Sequence, residues 1–554
     1  MRVVSADSVG APTAVLPPGT QTCCAGWARW GLPTLADARF VVVLLRGLQL
    51  GADGFFNDPG TGWHLRTGNH IIATGAVPIS DPFSFTRAGQ NWVETQWLAD
   101  VVMAWAFSVG GYGLIALATA VLLAGLFRWL YRTQICSGSW PAIALLTTLI
   151  AVGGASGHFL ARPLLASSVG VPLCFWWATQ YARGATGTGR LLLLVLVAAV
   201  WCNLHPGVLG GIATVALCGL ALVAQGLMTR AGPGRHDRLR RGTTLVAVGA
   251  AMSLATLANP YGLGWHAWVL KLMRMGSLAR YVDEWMAPVW SDPDTLATGL
   301  LLVGVVVGAA LRRRAERRGQ SPFGPHAMSF SEALIILFWL SQAAQNYRHL
   351  PLLAMILAIQ LGRVLAGVPG GTDRRGRTET RIPFFSADLR EAEQRAGGGL
   401  VSVAAVALLT ALLAGGITVP AMGLRIAGPP SAKYSHGAIE YLRKHPPARR
   451  IFNEINYGGL LIHELPSVPV FIDDRFDVYG EDFVEQYVAC VRDPGVHAAE
   501  LLDRWQIDMV LIGTDAPLGD CLANRSEWTR VYRDRIAAVY ARPSDVKGNT
   551  RETD

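Results

Sequence analysis

Charged residues are scarce. Asp, Glu, Lys and Arg together fill 16% of the 554 positions, against a hydrophobic share of 51%, and the mean hydropathy is positive. So little charge cannot cover the surface of a soluble protein of this length, whereas a polytopic membrane protein needs no more. Metal and redox spacings are missing too: none of the eight cysteines stands in a C-x-x-C arrangement, which argues against a zinc ribbon or a dithiol oxidoreductase. Cys136, Cys174, Cys202 and Cys218 lie in or beside apolar blocks and Cys23 and Cys24 in the N-terminal stretch, which leaves Cys490 and Cys521 as the two that could pair. No small-residue cleavage site follows the first apolar run. Residues 1–36, mixed and Pro-containing, are therefore expected to form a disordered cytoplasmic tail and not a removable signal peptide.

What the chain has is apolar length. Runs at 37–52, 112–130, 141–159, 164–182, 189–205, 208–229, 243–260, 295–311, 330–346, 350–366 and 399–420 predict about eleven transmembrane helices. A further apolar stretch at 93–108 carries Glu94 and Asp100 in its first turns, which suits a helix lying at the interface. With that helix at the interface, the Arg clusters all fall on one side: Arg128 with Arg132, Arg183 with Arg190, RAGPGRHDRLRR (230–241), LRRRAERRG (311–319), and Arg374, Arg375, Arg377 and Arg381. The positive-inside rule makes that side the cytoplasm. Counting 93–108 as a span would reverse every later loop. The net charge of +9 thus reports topology and not a nucleic-acid partner.

The opposite side collects the unusual polar corners. It receives NDPGTGWHLRTGNHIIATGAVPISDPFS (57–84), the Arg162-Pro163 corner, NLHPG (203–207), NPYG (259–262), VDEW (282–285), NYRHLP (346–351) and everything after 420. Asp58, His64, Arg162, Asn203, His205, Asn259, Glu284, Arg348 and His349 converge on this face, with Glu94 beside them. Asp58 precedes Pro59 and is extended or in a turn beyond the first span. A carboxylate fixed there can act as general base for an acceptor hydroxyl or amine, although any loop leaving a membrane can carry an Asp, and Asp53 is available for that plain role. WHLRTG begins an amphipathic helix in which His64, Trp63 and Arg66 could equally anchor the interface, where Trp belts lie. Arg162, Arg348, His349 and His205 offer cationic groups for a phosphate or diphosphate, Arg by bidentate hydrogen bonds and His when protonated. Snorkelling to lipid headgroups is their plain alternative, and the scarcity of Arg on this side argues against it.

After the last span the composition changes. RRIFNEI (449–455), VPVFIDD (468–474) and DMVLIGT (508–514) read as strands, with helical stretches GEDFVEQYVACV and HAAELLDRW between them, which predicts a small α/β domain over 430–545. NYGG (456–459) is expected to form a turn, and Asp473, Asp474 and Arg475 a polar cluster at a strand end. Such residues more often satisfy backbone groups than carry a site.

NDPGTGWHLRTGNHI followed by VPISDPFSFTRAGQNWVETQWLAD resembles the first external loop of a large bacterial family of multi-spanning proteins related to GT-C glycosyltransferases. WCNLHPG, NPYG, Glu284-Trp285, NYRHLP and FNEINYGGLLIHELPSVPVFIDDRFDVYG extend the resemblance over about residues 40–542. The resemblance implies a polyprenyl-phosphate-linked sugar as donor, Asp58 as the catalytic base after the first span, and a juxtamembrane role for 93–108. One departure is Gln96, where a Glu commonly precedes Trp-Leu; Glu94 is the neighbouring carboxylate that could take over. The metal-binding acidic pair of some GT-C enzymes is not evident, so divalent-metal dependence stays open.

The expected architecture is therefore an α-helical polytopic membrane protein, GT-C-like, with its transmembrane domain over 37–420 and first external loop over 53–111. A small extracytoplasmic α/β domain over 430–545 and a disordered tail over 546–554 follow. It would lie in a bacterial inner membrane with its N-terminus in the cytoplasm, and transfer a sugar to an extracytoplasmic glycan, lipid or protein. Its expected partners are the lipid-linked donor, membrane lipids and that acceptor, with no nucleic acid. A transporter or flippase would instead show internal repeats and midplane polar residues, neither of which is evident. A non-catalytic scaffold for envelope assembly is the third class.

Overall fold

The computed structural model describes residues 34–317, 328–366, 387–396, 398–414 and 429–542. The tail before residue 34, Cys23 and Cys24, the cluster of Arg374, Arg375, Arg377 and Arg381, the end of the 399–420 run and the 546–554 tail lie outside the described residues.

Among the described residues the chain begins with α1 (Leu35–Phe55), α2 (Thr61–Thr74), α3 (Trp97–Cys136), α4 (Pro141–Ala155) and α5 (Leu165–Ala182). It continues through α6 (Thr188–Trp201), α7 (Val208–Met228), α8 (Pro233–Ala255), α9 (Leu263–Met273) and α10 (Gly276–Tyr281). Next come α11 (Pro293–Arg317), α12 (Phe330–Gln345), α13 (Leu350–Val364), α14 (Ala387–Arg395) and α15 (Leu400–Ala414). Each predicted span coincides with one of these helices. By length and composition, four stretches among the described residues are long and apolar enough to cross a membrane: Trp97–Cys136, Pro141–His158, Val208–Met228 and Pro293–Arg314. The bent pair Leu389–Arg395 and Leu400–Leu412 would make a fifth. The other predicted spans are helices that fall short of that measure, such as α12 with 16 residues and α13 with 15.

Local sequence sets the ends. Capping boxes start α1, from Thr34 to Asp37, and α12, from Ser329 to Glu332. The two stretches expected at 93–108 and 112–130 form one 40-residue helix, α3, broken at Gly110 and Gly111. Gly111 takes φ 57° there, a left-handed backbone open to glycine at little cost. The part before the break packs on α2 and the part after it joins the bundle with α1 and α4. At the centre is α13, buried at every position from Leu350 to Val364, including the polar Gln360 and Arg363; it packs against α3, α4, α5, α11 and α12. One polar knot ties that bundle together away from the C-terminal domain. Glu332 accepts from Arg183 Nε at 3.0 Å and Nη2 at 2.8 Å, and from Arg363 Nη1 at 3.0 Å.

The C-terminal domain comprises α16 (His436–Lys444), β1 (Ile451–Asn453), α17 (Ile455–Glu464), α18 (Phe476–Tyr479), α19 (Glu481–Arg492) and α20 (Gly495–Arg504). β2 (Met509–Gly513), α21 (Pro517–Ala523), β3 (Thr529–Arg533) and β4 (Ala537–Ala541) complete it. Its sheet runs β1-β2-β4-β3, with β1 parallel to β2 and the other pairs antiparallel.

Two expectations are corrected. NYGG is the first turn of α17 and not a loop. The segment 468–474 is not a strand of this sheet; its neighbour toward β1 is the Asn453 side chain, which accepts from Phe471 N–H at 2.9 Å and donates to Ile472 O at 2.7 Å. On its other side it pairs with the first loop: Phe85 N–H donates to Val470 O at 3.2 Å, and Val470 N–H to Phe83 O at 3.1 Å. The hairpin β3–β4 was not foreseen. Cys490 and Cys521 are both free.

The first loop therefore folds with the C-terminal domain. Trp63 and Trp92, with Met275 and Leu278 of α10 and its approach, belong to the same apolar core as β1, β2 and β4. Helices α2 and α17 touch backbone to backbone. A Cβ on Gly62 would stand 2.0 Å from Gly459 O, and one on Gly459 2.0 Å from Pro59 O.

Candidate functional site

Asp58 lies in the short turn between α1 and α2, at the end of the bundle that carries the C-terminal domain. Its Oδ1 is 3.5 Å from Arg162 Nη1, and Arg162 Nη2 is also paired with Glu284. The corner that holds Arg162 is pinned to the exit of α1, since Ala161 N–H donates to Phe55 O at 2.8 Å. One guanidinium thus bridges two carboxylates from loops 226 positions apart in sequence. Burial alone would pull Arg162 down, but Glu284 and Asp58 more than offset it, and the group is held above its ordinary value. Burial pushes Glu284 the other way, and Arg162 with Arg348 outweighs it, so this carboxyl is held below its ordinary value.

Arg348 stands on the 3-10 turn Tyr347–His349, which leads into the N-terminus of α13. That turn is tied to the Glu284 loop, because Tyr347 N–H donates to Met286 O at 2.8 Å. The Arg348 guanidinium lies 4.6 Å above the Trp285 ring. Among the described residues it has no hydrogen bond or ion pair. Burial pulls it down to about 10, so it stays cationic at neutral pH. A free guanidinium beside the N-terminus of the central helix is suited to an anion.

His205 and His349 are both pulled away from the charged form. Burial and the adjacent Arg348 pull His349 down to about 4, and burial, with Arg348 next, holds His205 well below its ordinary value. Gly207 N–H donates to His205 Nδ1 at 2.9 Å, and Ser167 Oγ is 2.7 Å from the same atom. With Nδ1 accepting, the ring carries its proton on Nε2. The positive charge expected from four residues is thus supplied by Arg348 and Arg162, and His205 is limited to neutral hydrogen bonding.

The remaining expected residues are bonded to their own surroundings. His64 sits in α2 with Nδ1 2.6 Å from Asp100 Oδ1, and burial pulls its ring down to about 3. Glu94 accepts from Gln96 N–H at 2.7 Å ahead of α3. Asn203 accepts from Trp97 Nε1 at 2.7 Å and donates to Ala199 O and Ala258 O, each at 2.8 Å. Asn259 closes its own turn by donating to Thr256 O at 2.7 Å and accepting from Tyr261 N–H at 2.7 Å.

No family model matches the chain, and no curated protein matches it. Its fold is similar to two kinds of solved structure. One is the archaeal oligosaccharyltransferase AglB from Archaeoglobus fulgidus in complex with an inhibitory peptide and a dolichol-phosphate, at 12% identity over 86% of this chain and 69% of that one, with a TM-score of 0.48. The other is ArnT from Cupriavidus metallidurans bound to undecaprenyl phosphate, at 15% identity over 92% of this chain and 97% of that one, with a TM-score of 0.49. Its apo form matches at 16% identity, with the same coverage and TM-score.

Sequence reasoning passed over Tyr434 and His158, and took Asp474 for part of a strand-end cluster. Asp474 accepts from Trp63 Nε1 at 2.9 Å, and Tyr434 is 2% exposed with a hydroxyl that has no partner among the described residues. His158 is buried against Tyr347, ring centroids 4.6 Å apart, and both its nitrogens are unpartnered among the described residues. The Asp-Asp-Arg run did signal Asp474, but nothing local distinguishes it from a strand-end cap. Among the described residues no group of three or more His, Cys, Asp or Glu is arranged to hold an ion, and Arg162 already bridges Asp58 and Glu284.

Proposed function

We propose that the chain is a membrane glycosyltransferase that moves a sugar from a polyprenyl-phosphate-linked donor to an extracytoplasmic acceptor. The observation that carries this reading is the unpaired Arg348 guanidinium at the mouth of α13, in one site with the Asp58–Arg162–Glu284 chain. The sequence resemblance to GT-C-related proteins supports it. In this reading Asp58 accepts the proton of an acceptor hydroxyl or amine as that atom attacks the anomeric carbon. The bond from that carbon to the phosphate oxygen breaks, configuration inverts, and the departing phosphate is held by Arg348 and Arg162. A lipid phosphate leaves as an anion, so no general acid is required. The site would face the outside of a bacterial inner membrane, with the N-terminus in the cytoplasm.

Mass spectrometry of lipids that copurify with the protein tests the donor class directly: a polyprenyl-phosphate sugar is expected. Asp58→Asn should lose transfer by at least about 100-fold, as removal of a general base does, while keeping that lipid bound. Near-normal turnover by this variant, or copurification of ordinary phospholipid alone, would sink the assignment.

A further inference from the structure

The 3-10 turn Ser156–His158 that follows α4 brings one histidine to the Arg348 side of the site. Its seat is tight. A Cβ on Gly157 would stand 2.1 Å from Tyr347 Oη and 2.8 Å from Asp294 Oδ2, so glycine lets the turn press against that pair. Phe159 fixes the other flank, its ring centroid 5.7 Å from that of Phe127. Between them the His158 ring lies tilted on Tyr347, 4.6 Å between centroids, and the residue is 4% exposed. A buried imidazole ordinarily bonds through at least one nitrogen. Here neither Nδ1 nor Nε2 has a partner among the described residues.

The neighbours that could serve are already engaged. The Tyr347 hydroxyl donates to Asp294 Oδ2, and Asp294 Oδ1 accepts from Thr295 N–H at 2.8 Å. Glu284 pairs with Arg162. The charged groups within reach of the ring are Glu284, Arg162, Arg348 and Asp294, so His158 shares its surroundings with both cations of the site. The chain joins it to each as well: Arg348 follows Tyr347, on which the ring lies, and Arg162 comes four positions after His158. An unpaired guanidinium and an unpaired imidazole therefore stand together.

We propose that His158 sets specificity for the donor, its imidazole hydrogen-bonding a hydroxyl group of the sugar next to the phosphate that Arg348 binds.

This inference rests on the glycosyltransferase reading and adds which part of the donor the side chain recognises. A donor of that class presents hydrocarbon, phosphate oxygens and sugar hydroxyls. Against hydrocarbon the buried nitrogens would stay unsatisfied, which is costly. Ester phosphate oxygens only accept, and Arg348 and Arg162 already supply donors for them; a neutral imidazole would keep its accepting nitrogen unmatched. A sugar hydroxyl both donates and accepts, so it suits either nitrogen, and neighbouring hydroxyls of one sugar suit both. A pocket whose buried polar groups are matched to a substrate hydroxyl rejects a ligand without it far more strongly than an apolar pocket does.

Binding in detergent of undecaprenyl phosphate, bare or carrying mannose, glucose or galactose, tests this without turnover. Wild type should hold at least one sugar-bearing form more tightly than the bare lipid. His158→Phe keeps the ring and its packing on Tyr347. It should bind bare undecaprenyl phosphate within about twofold of wild type, and the preferred sugar-bearing form about 10-fold more weakly, as loss of a hydrogen bond does. His158→Leu repeats the comparison where the phenyl ring is not accommodated. Thermal midpoints without lipid separate a structural role: removing two unsatisfied nitrogens should leave the midpoint unchanged or higher. A clear fall in both variants would show an internal partner for the ring and overturn the proposal. No preference of wild type for any sugar-bearing form, equal loss of both lipids in the variants, or loss of neither would overturn it too, the last leaving the ring to a buried water. In those cases the glycosyltransferase reading survives, because wild type still binds the lipid phosphate. Binding of no form by wild type would sink that reading itself, and the role of His158 with it.

Discussion

Arg475 Nη2 donates to Asp81 Oδ1 at 2.9 Å, joining two residues 394 positions apart. The same guanidinium donates from Nε to Asp473 Oδ1 at 2.8 Å and from Nη2 to Asp473 Oδ2 at 2.6 Å. Trp92, Phe83 and Trp63 surround it, with ring centroids 4.6, 5.0 and 5.8 Å away. This one cation pairs with a carboxylate of the first loop and a carboxylate of the C-terminal domain, in a place with almost no access to water.

Removing that cation strands two buried carboxylates. Arg475→Met keeps the stem and loses the charge, and breaking a buried pair in this way costs about 3–5 kcal/mol. Arg475→Lys keeps the charge but not the planar fork, and should fall between. Limited proteolysis of purified protein, followed at the first loop, measures the effect. Equal resistance of wild type and Arg475→Met would show that the junction does not depend on this contact.

Arg348 makes the opposite prediction, because nothing in the described structure pairs with it. Arg348→Ala should leave the thermal midpoint nearly unchanged apart from lost stacking on Trp285. Loss of a charge-assisted phosphate contact, worth about 1.5–3 kcal/mol, should weaken donor binding by roughly 10- to 100-fold. Titration with undecaprenyl phosphate in detergent reads this directly. Unchanged affinity alongside a large loss of stability would make Arg348 a packing residue.

How much of this was legible in advance differs from element to element. That helices form at the apolar runs follows from apolar length, a strong local signal, although among the described residues only four stretches are long and apolar enough to cross a membrane, and the merging of 93–108 with 112–130 into one kinked helix was not readable. The gathering of Asp58, Arg162, Glu284 and Arg348 at one end followed from where the Arg clusters fall, since topology alone decides which loops share a face. What topology cannot give is pairing. Nothing near Asn203 or Asn259 reveals that their amides are spent on backbone, and nothing near Val470 reveals that its partner is Ser84 and not β1. Asp474 illustrates the same limit: its partner Trp63 is 411 positions away.

A pH dependence follows from the buried acids at the junction. Loss of water raises Asp474, Glu94 and Asp477 above the ordinary carboxyl value, with Asp58 and Asp473 adding to it at Asp474 and Asp100 at Glu94. Each therefore binds its proton more tightly in the folded chain than in the unfolded one. The stability this contributes is complete below the unfolded value, about 4, and is lost as pH rises through the folded value. Thermal midpoints measured from about pH 4 to about pH 9 should decline on the alkaline side, and Asp474→Asn should flatten part of that slope. A slope unchanged by the variant would contradict the assignment.

The glycines of the α2–α17 contact give the sharpest structural test. A methyl group on Gly459 would meet Pro59 O at 2.0 Å, and one on Gly62 would meet Gly459 O at the same distance. Both obstacles are backbone, so no side-chain rotation relieves them and the helices must separate. Overpacking of this kind costs about 1–3 kcal/mol when the surroundings yield, and more when they cannot. Separation would also disturb the turn that holds Asp58, so Gly459→Ala should lower transfer and alter Trp63 fluorescence together. Gly113→Ala is the matched control, since a methyl group there meets nothing within 4 Å, and it should be silent in both measurements. Wild-type fluorescence and activity in Gly459→Ala would mean that the C-terminal domain can shift without disturbing the site.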